Sequence, residues 1–379
     1  MNRAANRGEW SELYVLFKLL GDGRIYTADA QMNKLSPNAY LEIIRVIREE
    51  VANVMSEYAI NDGTIDIYVA QDLVTSISAG EFLREAHRLF KTIRNGRGRS
   101  FEVDEATTDF MEQAHITKVK ASSISVNGEN GGKNDIVMEL RDSTTALVYK
   151  AGFSIKANGK NPATLFNCAT ATAFVYRLGG LTDEDAAILN GLNTPSGHRD
   201  KQKRLRYLKN HGVELEFVDN KIPPGHTVAP FARNLEILRS DMQQILNLAV
   251  LAHYTDERDH TKVSDICKIL QADNALGVAA PEYFYKKALE DFLYASFGGL
   301  NGTSPWDGRT IVNGGYIVVK EDGEVLAHSS QDTAVFRDFL FQETKFDRPD
   351  SSDGKWSYAY AYKDGSDWFM DLNFQVRFI

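Results

Sequence analysis

A carboxylate at Asp135 and an ammonium at Lys156 bracket two segments rich in Val, Ile, Leu, Tyr and Phe, separated by the polar run from Arg141 to Thr145. The composition predicts a hairpin that turns near Thr145 and sets Asp135 opposite Ser154, Ile155 and Lys156. Strand side chains alternate between faces, so Ser154 and Lys156 share one face while Ile155 points into the core. Such a patch suits metal-assisted cleavage of a phosphodiester. A hard cation such as Mg²⁺ takes oxygen ligands, here the Asp135 carboxylate, the Ile155 carbonyl and the phosphate itself, while Lys156 orients the attacking water or stabilises the transition state. The patch lacks a second acid, because Ser154 stands two positions before the lysine where a carboxylate would complete the set. The plainer alternative is an exposed aspartate and a lysine whose stem lies along apolar surface at two strand ends.

The elements around this pair are legible to different degrees. Residues 8–20 (GEWSELYVLFKLL) read as a helix whose apolar arc contains Glu9 and Glu12, while Ser11 and Lys18 fall opposite. Carboxylates on an apolar face cost free energy unless they are bound, so both are candidates for the missing charge. The alternative is that they favour the positive end of the helix dipole. Further helices are predicted over 37–58, 79–93 and, opened by Pro162, over 163–178; strands are predicted over 64–70 and 115–126. This order implies an α/β fold with a mixed central sheet flanked by helices. From about residue 182 to 295 the pattern is mostly helical. After Asn301 it becomes strand, Asp-Gly turn, strand, in GGYIVVKEDGEVLAH and again in YAYAYKDGSDWFMDLNFQVRFI. The expected division is therefore a catalytic part over 1–180 and a helical and β-hairpin recognition part over 181–379.

With 43% hydrophobic and 25% charged residues, the 379-residue chain can bury a full core, and no apolar run reaches the ~20 residues of a membrane span. The N-terminus MNRAANRGEW has no apolar signal region, so the expected location is cytoplasmic. Cys168 and Cys267 lack metal-type spacing and are expected as free thiols. A net charge of −9 argues against a protein that coats nucleic acid, but not against one with a local basic groove. Two clusters could supply it. Arg94, Arg97 and Arg99 lie in a Gly-containing run, and Arg199, Lys201, Lys203, Arg204, Arg206 and Lys209 crowd one short segment. Either cluster is equally readable as a solvated loop or helix face.

GEWSELYVLFKLL, then NDI, GFSIKA and NPATLFNCA, and finally GGYIVVKEDGEV, FQETKFDRPDSS and LNFQVRFI resemble the HpaII family of restriction endonucleases in collinear order. The resemblance implies a restriction-endonuclease-like core of the PD-(D/E)xK type and Mg²⁺-dependent cleavage of double-stranded DNA at a short palindromic site, CCGG for the family's namesake. By this likeness Asp135 and Lys156 match the motif's acid and lysine, and Ser154 occupies the place of the second acid. Glu12, and after it Glu9, match the helix glutamate that joins the metal site, and Asn167 lies near where a displaced ligand is found in some members. DNA contacts are then expected from the basic clusters together with Arg309 and Arg348, an arginine reading guanine through two hydrogen bonds. A homodimer is expected for double-strand cutting, and a cognate methyltransferase is expected to protect host DNA without forming a stable complex. The alternative from another class is a nuclease-fold DNA-binding protein without activity, which Ser154 keeps open.

Overall fold

In the computed structural model, residues 4–120, 134–157, 164–192, 200–255, 261–309, 314–349 and 358–379 are described. The chain packs as two units, one formed by Met1–Asn161 with Val312–Phe339 and the other by Pro162–Ile311 with Leu340–Ile379. The strands that close the first unit thus come from late in the sequence, and the chain from Pro162 onward belongs to the second until Val312.

In chain order the first stretch runs β1 (Ala4–Ala5), α1 (Arg7–Asp22), β2 (Arg24–Thr27), β3 (Tyr40–Val51), β4 (Val54–Asn61), β5 (Thr64–Val69) and β6 (Asp72–Ser78). It continues with α2 (Ala79–Asn95), β7 (Phe101–Glu102), α3 (Glu105–Gln113), β8 (Ile136–Asp142) and β9 (Val148–Ala157). The chain then runs through β10 (Thr164–Phe166), β11 (Phe174–Gly179), α4 (Asp183–Gly191), α5 (Asp200–Asn210), β12 (Glu214–Asn220), α6 (Pro230–Leu238), α7 (Met242–Thr255), β13 (Thr261–Lys262), α8 (Val263–Asp273) and α9 (Pro281–Phe297). Last come β14 (Gly314–Val319), β15 (Val325–Ser329), α10 (Thr333–Gln342), β16 (Thr344–Asp347), β17 (Ala361–Asp364), β18 (Asp367–Leu372) and β19 (Gln375–Phe378). The fold is mixed α/β.

The main sheet of the first unit has the order β2-β15-β14-β9-β8-β3-β4-β5-β6, with β14 parallel to β9 and β15 parallel to β2. Because β2 also pairs with β3, the strands from β2 round to β3 close on themselves and leave few exposed edges. The predicted β8–β9 hairpin is present, with Ile136 opposite Phe153 and Arg141 opposite Val148. Across the outer surface, Arg45 bonds Glu139 on β8 at 2.5 Å and Glu57 on β4 at 2.7 Å, a cross-strand ladder that supports this strand order.

Helix α1 is more than amphipathic. Trp10, Ser11, Leu13, Tyr14, Val15, Leu16, Phe17, Leu19 and Leu20 are all buried, so Ser11 is inside, its hydroxyl donating to the Arg7 carbonyl at 2.8 Å. Its side chains share one core with Phe82, Ala86 and Leu89 of α2 and Ala151 and Phe153 of β9. Each large apolar side chain buried this way contributes about 1.5–3 kcal/mol. Helix and sheet positions are therefore fixed by one apolar mass.

Two predicted helices are strands. Over 37–58 the chain forms β3 and β4, and a register shift between Ile43 and Arg45 puts buried Ile43 and Val46 three apart, which imitates a helical repeat. A turn at Asn53, with φ of 61°, joins the two strands, and the Glu49 carboxylate accepts the Asn53 N–H at 2.7 Å. Over 163–178 the chain forms β10, a short 3-10 turn and β11. Thr172 bonds the Ala169 backbone there, at 2.8 Å to its N–H and 2.9 Å to its carbonyl, giving the backbone a local alternative to a helix. Of the predicted strand over 115–126, residues 117–120 are irregular and 121–126 lie outside the described residues.

In the second unit, FQETKFDRP and LNFQVRFI meet. Strand β16 pairs with β19, Thr344 opposite Phe378 and Phe346 opposite Val376, and Phe346 stacks on Phe374 at 4.6 Å. Phe374 also packs with Phe166, Phe174 and Phe292. Buried Asn373 bonds the Thr172 hydroxyl at 2.9 Å and the Tyr358 hydroxyl at 2.7 Å. These motifs build the core of the unit rather than a surface.

Strands β9 and β14 approach closely because glycines face each other. Gly314 has φ of 145°, and a Cβ there would fall on the carbonyl oxygen of Gly152. Gly314→Ala is expected to lower stability by about 3 kcal/mol, measured by denaturant unfolding, and to impair any chemistry at Ser154 and Lys156. Wild-type stability in that variant would show that the two strands are free to part.

Candidate active site

Asp135 sits at the entry of β8, where its N–H donates to the Phe153 carbonyl at 2.9 Å and its Oδ2 accepts the Ile155 N–H at 2.8 Å. These bonds hold the carboxylate against β9. Ser154 and Lys156 lie on the same strand, and in the parallel neighbour β14 Tyr316 stands opposite Ser154 and Val318 opposite Lys156. The Lys156 ammonium lies 5.5 Å from the Tyr316 ring centroid. Tyr316 is buried, and burial followed by the nearby Asp135 carboxylate pushes its phenol well above the ordinary range.

Glu12 approaches from α1. Its side chain is only 12% exposed; Oε1 meets the Lys120 ammonium at 3.5 Å, and Oε2 is buried with no hydrogen-bond partner among the described residues. Burial, and then repulsion from Asp135, push its carboxyl up to about 7, against the pull of Lys120 and Arg48. Burial lowers the Lys156 ammonium, while Asp135 and Glu12 oppose that shift. Glu12, Asp135 and Lys156 therefore sense one another in a place sheltered from water. Two carboxylates with an orphaned oxygen invite a hard cation, and the lysine beside them is placed to act on a phosphate.

The other acid on the helix does different work. Glu9 accepts the Asn6 N–H at 2.8 Å while Asn6 Oδ1 accepts the Glu9 N–H at 3.0 Å, so Glu9 is engaged in a capping box at the helix start. Asn167 lies in an exposed connection after β10 in the second unit, and the helix expected to carry it is replaced by strands.

The basic residues divide by burial. On α5, Lys203, Arg206 and Lys209 are exposed. Lys201 is buried and donates to the Pro349 carbonyl, and Arg204 is 1% exposed, with its guanidinium 3.7 Å from the Tyr360 ring centroid and Nε donating to the Leu189 carbonyl. Both are engaged inside the protein and hold α5 in place. Arg348 donates to the His253 carbonyl near the end of α7 at 3.0 Å, a favourable place for a cation at a helix C-terminus. Arg94, Arg97, Arg99 and Arg309 are exposed, and Arg199 lies outside the described residues.

Lys120, Arg48 and Tyr316 are absent from the sequence candidates. Arg48 was hidden by the helical reading of β3. Tyr316 belongs to a strand that was legible, but its parallel partner was not. Lys120 sits in irregular chain that no spacing marks.

A half-buried pair of acids with a lysine, held on the seam between a central helix and a mixed sheet, is an arrangement suited to a phosphodiester-cleaving enzyme. The comparisons agree on the class and narrow it. The family model described as HpaII restriction endonuclease matches residues 6–378. The type II restriction enzyme HpaII of Haemophilus parainfluenzae is 32% identical over 380 residues, which covers 99% of this chain and 99% of that protein. The chain belongs to the HpaII restriction endonuclease family and is a site-specific DNA endonuclease acting on double-stranded DNA. No solved structure matches it.

Two outcomes follow from this geometry. With chelator present, the folded state keeps a proton on Glu12 between pH 4.5 and about 7 that the unfolded chain releases, so stability falls as pH rises through that window. Glu12→Gln should melt like wild type at pH 5 but be about 1–3 kcal/mol more stable at pH 8; equal stability at pH 8 would show that Glu12 carries no burial penalty. On α5, Arg204→Ala should cost about 2 kcal/mol or more in thermal unfolding, whereas Lys203→Ala should leave stability unchanged within about 0.5 kcal/mol.

Proposed function

We propose that this enzyme cuts both strands of a short palindromic site, CCGG by family likeness, in a Mg²⁺-dependent reaction centred on Asp135, Lys156 and Glu12. The observation that carries the reading is the buried Oε2 of Glu12 beside Asp135, which has no hydrogen-bond partner among the described residues. Glu12, Asp135 and the Ile155 carbonyl offer only oxygen donors, which fits Mg²⁺. When bound, the cation polarises the phosphate and lowers the pKa of a water.

The chain's own residues do the rest. The Ile155 N–H fixes the Asp135 carboxylate, so its second oxygen is oriented before substrate arrives. Lys156, kept near both acids by β9 and by the Tyr316 ring, donates to a phosphate oxygen and stabilises the charge that develops there. Ser154 leaves the strand one carboxylate short, and Glu12 supplies that charge from α1. The first unit thus carries a core of the PD-(D/E)xK type. Exposed Arg94, Arg97, Arg99, Lys203, Arg206, Lys209 and Arg309 serve as DNA contacts. Two copies cut the two strands, and a cognate methyltransferase protects host DNA without forming a stable complex.

The test is a plasmid digest with mapped ends. Wild type should give discrete fragments ending within CCGG, and Asp135→Ala and Lys156→Ala should each abolish cutting while retaining duplex binding. Glu12→Gln should slow cutting by about 100-fold or more. Wild-type rates in either of the first two variants would overturn the site, and ends elsewhere would overturn the specificity.

A further inference from the structure

Lys120 is held beside Glu12, and a clamp on β3 fixes the chain just before it. Arg48 and Glu50 form a buried ion pair at 2.6 Å, each side chain 3% exposed. Such a pair is costly to desolvate and is retained where every remaining group is bonded. Here those bonds go to one short segment of chain. Glu50 accepts the Thr117 N–H at 2.8 Å and the Lys118 N–H at 3.2 Å, its carbonyl accepts the Thr117 hydroxyl at 2.7 Å, and Arg48 donates to the Lys118 carbonyl at 3.0 Å. Buried Ile116 anchors the same segment from the other side. Irregular chain is thereby pinned to β3, and the pinning ends two residues before Lys120.

From that anchor the Lys120 side chain reaches Glu12 at 3.5 Å while remaining 51% exposed, against 12% for its partner. A lysine so placed neutralises a buried acid and is still free to swing into water. It also adds to the positive field at Lys156. Lys120 and Arg48 both favour the charged form of Glu12, and Lys156 in turn senses the Glu12 charge. A divalent cation at Glu12 and Asp135 would bring two further positive charges against this ammonium.

Resting on the proposed metal-dependent reading of the site, we propose that Lys120 is the resident counter-cation of Glu12, displaced when a divalent cation binds and then available to a DNA phosphate beside the cleavage site. The lysine offsets part of the repulsion between the acids in the resting enzyme. Its release couples metal loading to DNA contact, because the same charge cannot serve Glu12 and a phosphate together. Lys120 is thus a positioning and binding residue, distinct from Lys156 on the sheet.

The test compares wild type, Lys120→Met and Lys120→Arg in two measurements at pH 8. Calorimetric titration with Mn²⁺ in the absence of DNA should show Lys120→Met binding about tenfold more tightly than wild type, because a competing charge has gone. Duplex binding in Ca²⁺, followed by anisotropy across a salt series, should show Lys120→Met binding more weakly, with a salt slope smaller by about 1. Lys120→Arg should retain wild-type behaviour in both. Unchanged or weaker Mn²⁺ binding in Lys120→Met, or an unchanged salt slope, overturns the inference while leaving the Asp135 and Lys156 assignments standing. A wild type that binds no divalent cation overturns the metal-dependent reading and this inference with it.

Discussion

A carboxylate on the side of a buried helix needs a cation, and much of the first unit is arranged around that need. Glu12 is carried by α1, whose neighbours along the helix are almost all apolar and buried. The helix cannot turn the acid toward water without exposing Trp10, Leu13, Leu16 and Phe17. The sheet brings a second acid, Asp135, to the same place, and the Ile155 N–H prevents it from turning away. Burial, and then repulsion between the two, is the electrostatic cost, and two positive side chains, Lys120 and Arg48, reduce it. The cluster is held together by packing rather than by its own attractions.

Positive charge is used in two ways in this chain. Where an arginine or lysine is buried it secures an element: Arg204 fixes α5 against Tyr360, and Arg48 pins the segment before Lys120. Where it is exposed, on one face of α5 and after α2, it faces solvent. A cluster of basic residues in sequence therefore says little until burial sorts it. On α5 the sorting follows the helical repeat, with Lys201, Arg204 and Leu208 inside and Lys203, Arg206 and Lys209 outside.

The hairpin and its polar turn were legible because β-branched and aromatic runs flank a short polar break, and its register put Asp135 where the strand alternation required. Glu12 was legible as an acid in an apolar arc. What stayed hidden depends on contacts between distant segments. A register shift in β3 imitated a helical repeat and concealed Arg48 and Glu50. Nothing local announces that β14 runs parallel to β9, so Tyr316 was not connected with Lys156. Glu9 and Glu12 looked alike in sequence, and the capping box at Asn6 separates them. The terminal motifs were informative for family membership, and their burial at the β16–β19 pair gives that a packing basis.

The central claim is that Glu12 and Asp135 hold one divalent cation between a helix and a sheet. Crystals of the enzyme grown with Mn²⁺ and measured for anomalous scattering address it most directly. The expected result is a single strong peak bonded by a Glu12 oxygen, an Asp135 oxygen and the Ile155 carbonyl, with the Lys120 ammonium moved away from Glu12. A peak held by other residues, or a Glu12 carboxyl still paired with Lys120 beside an ion bound elsewhere, would contradict it.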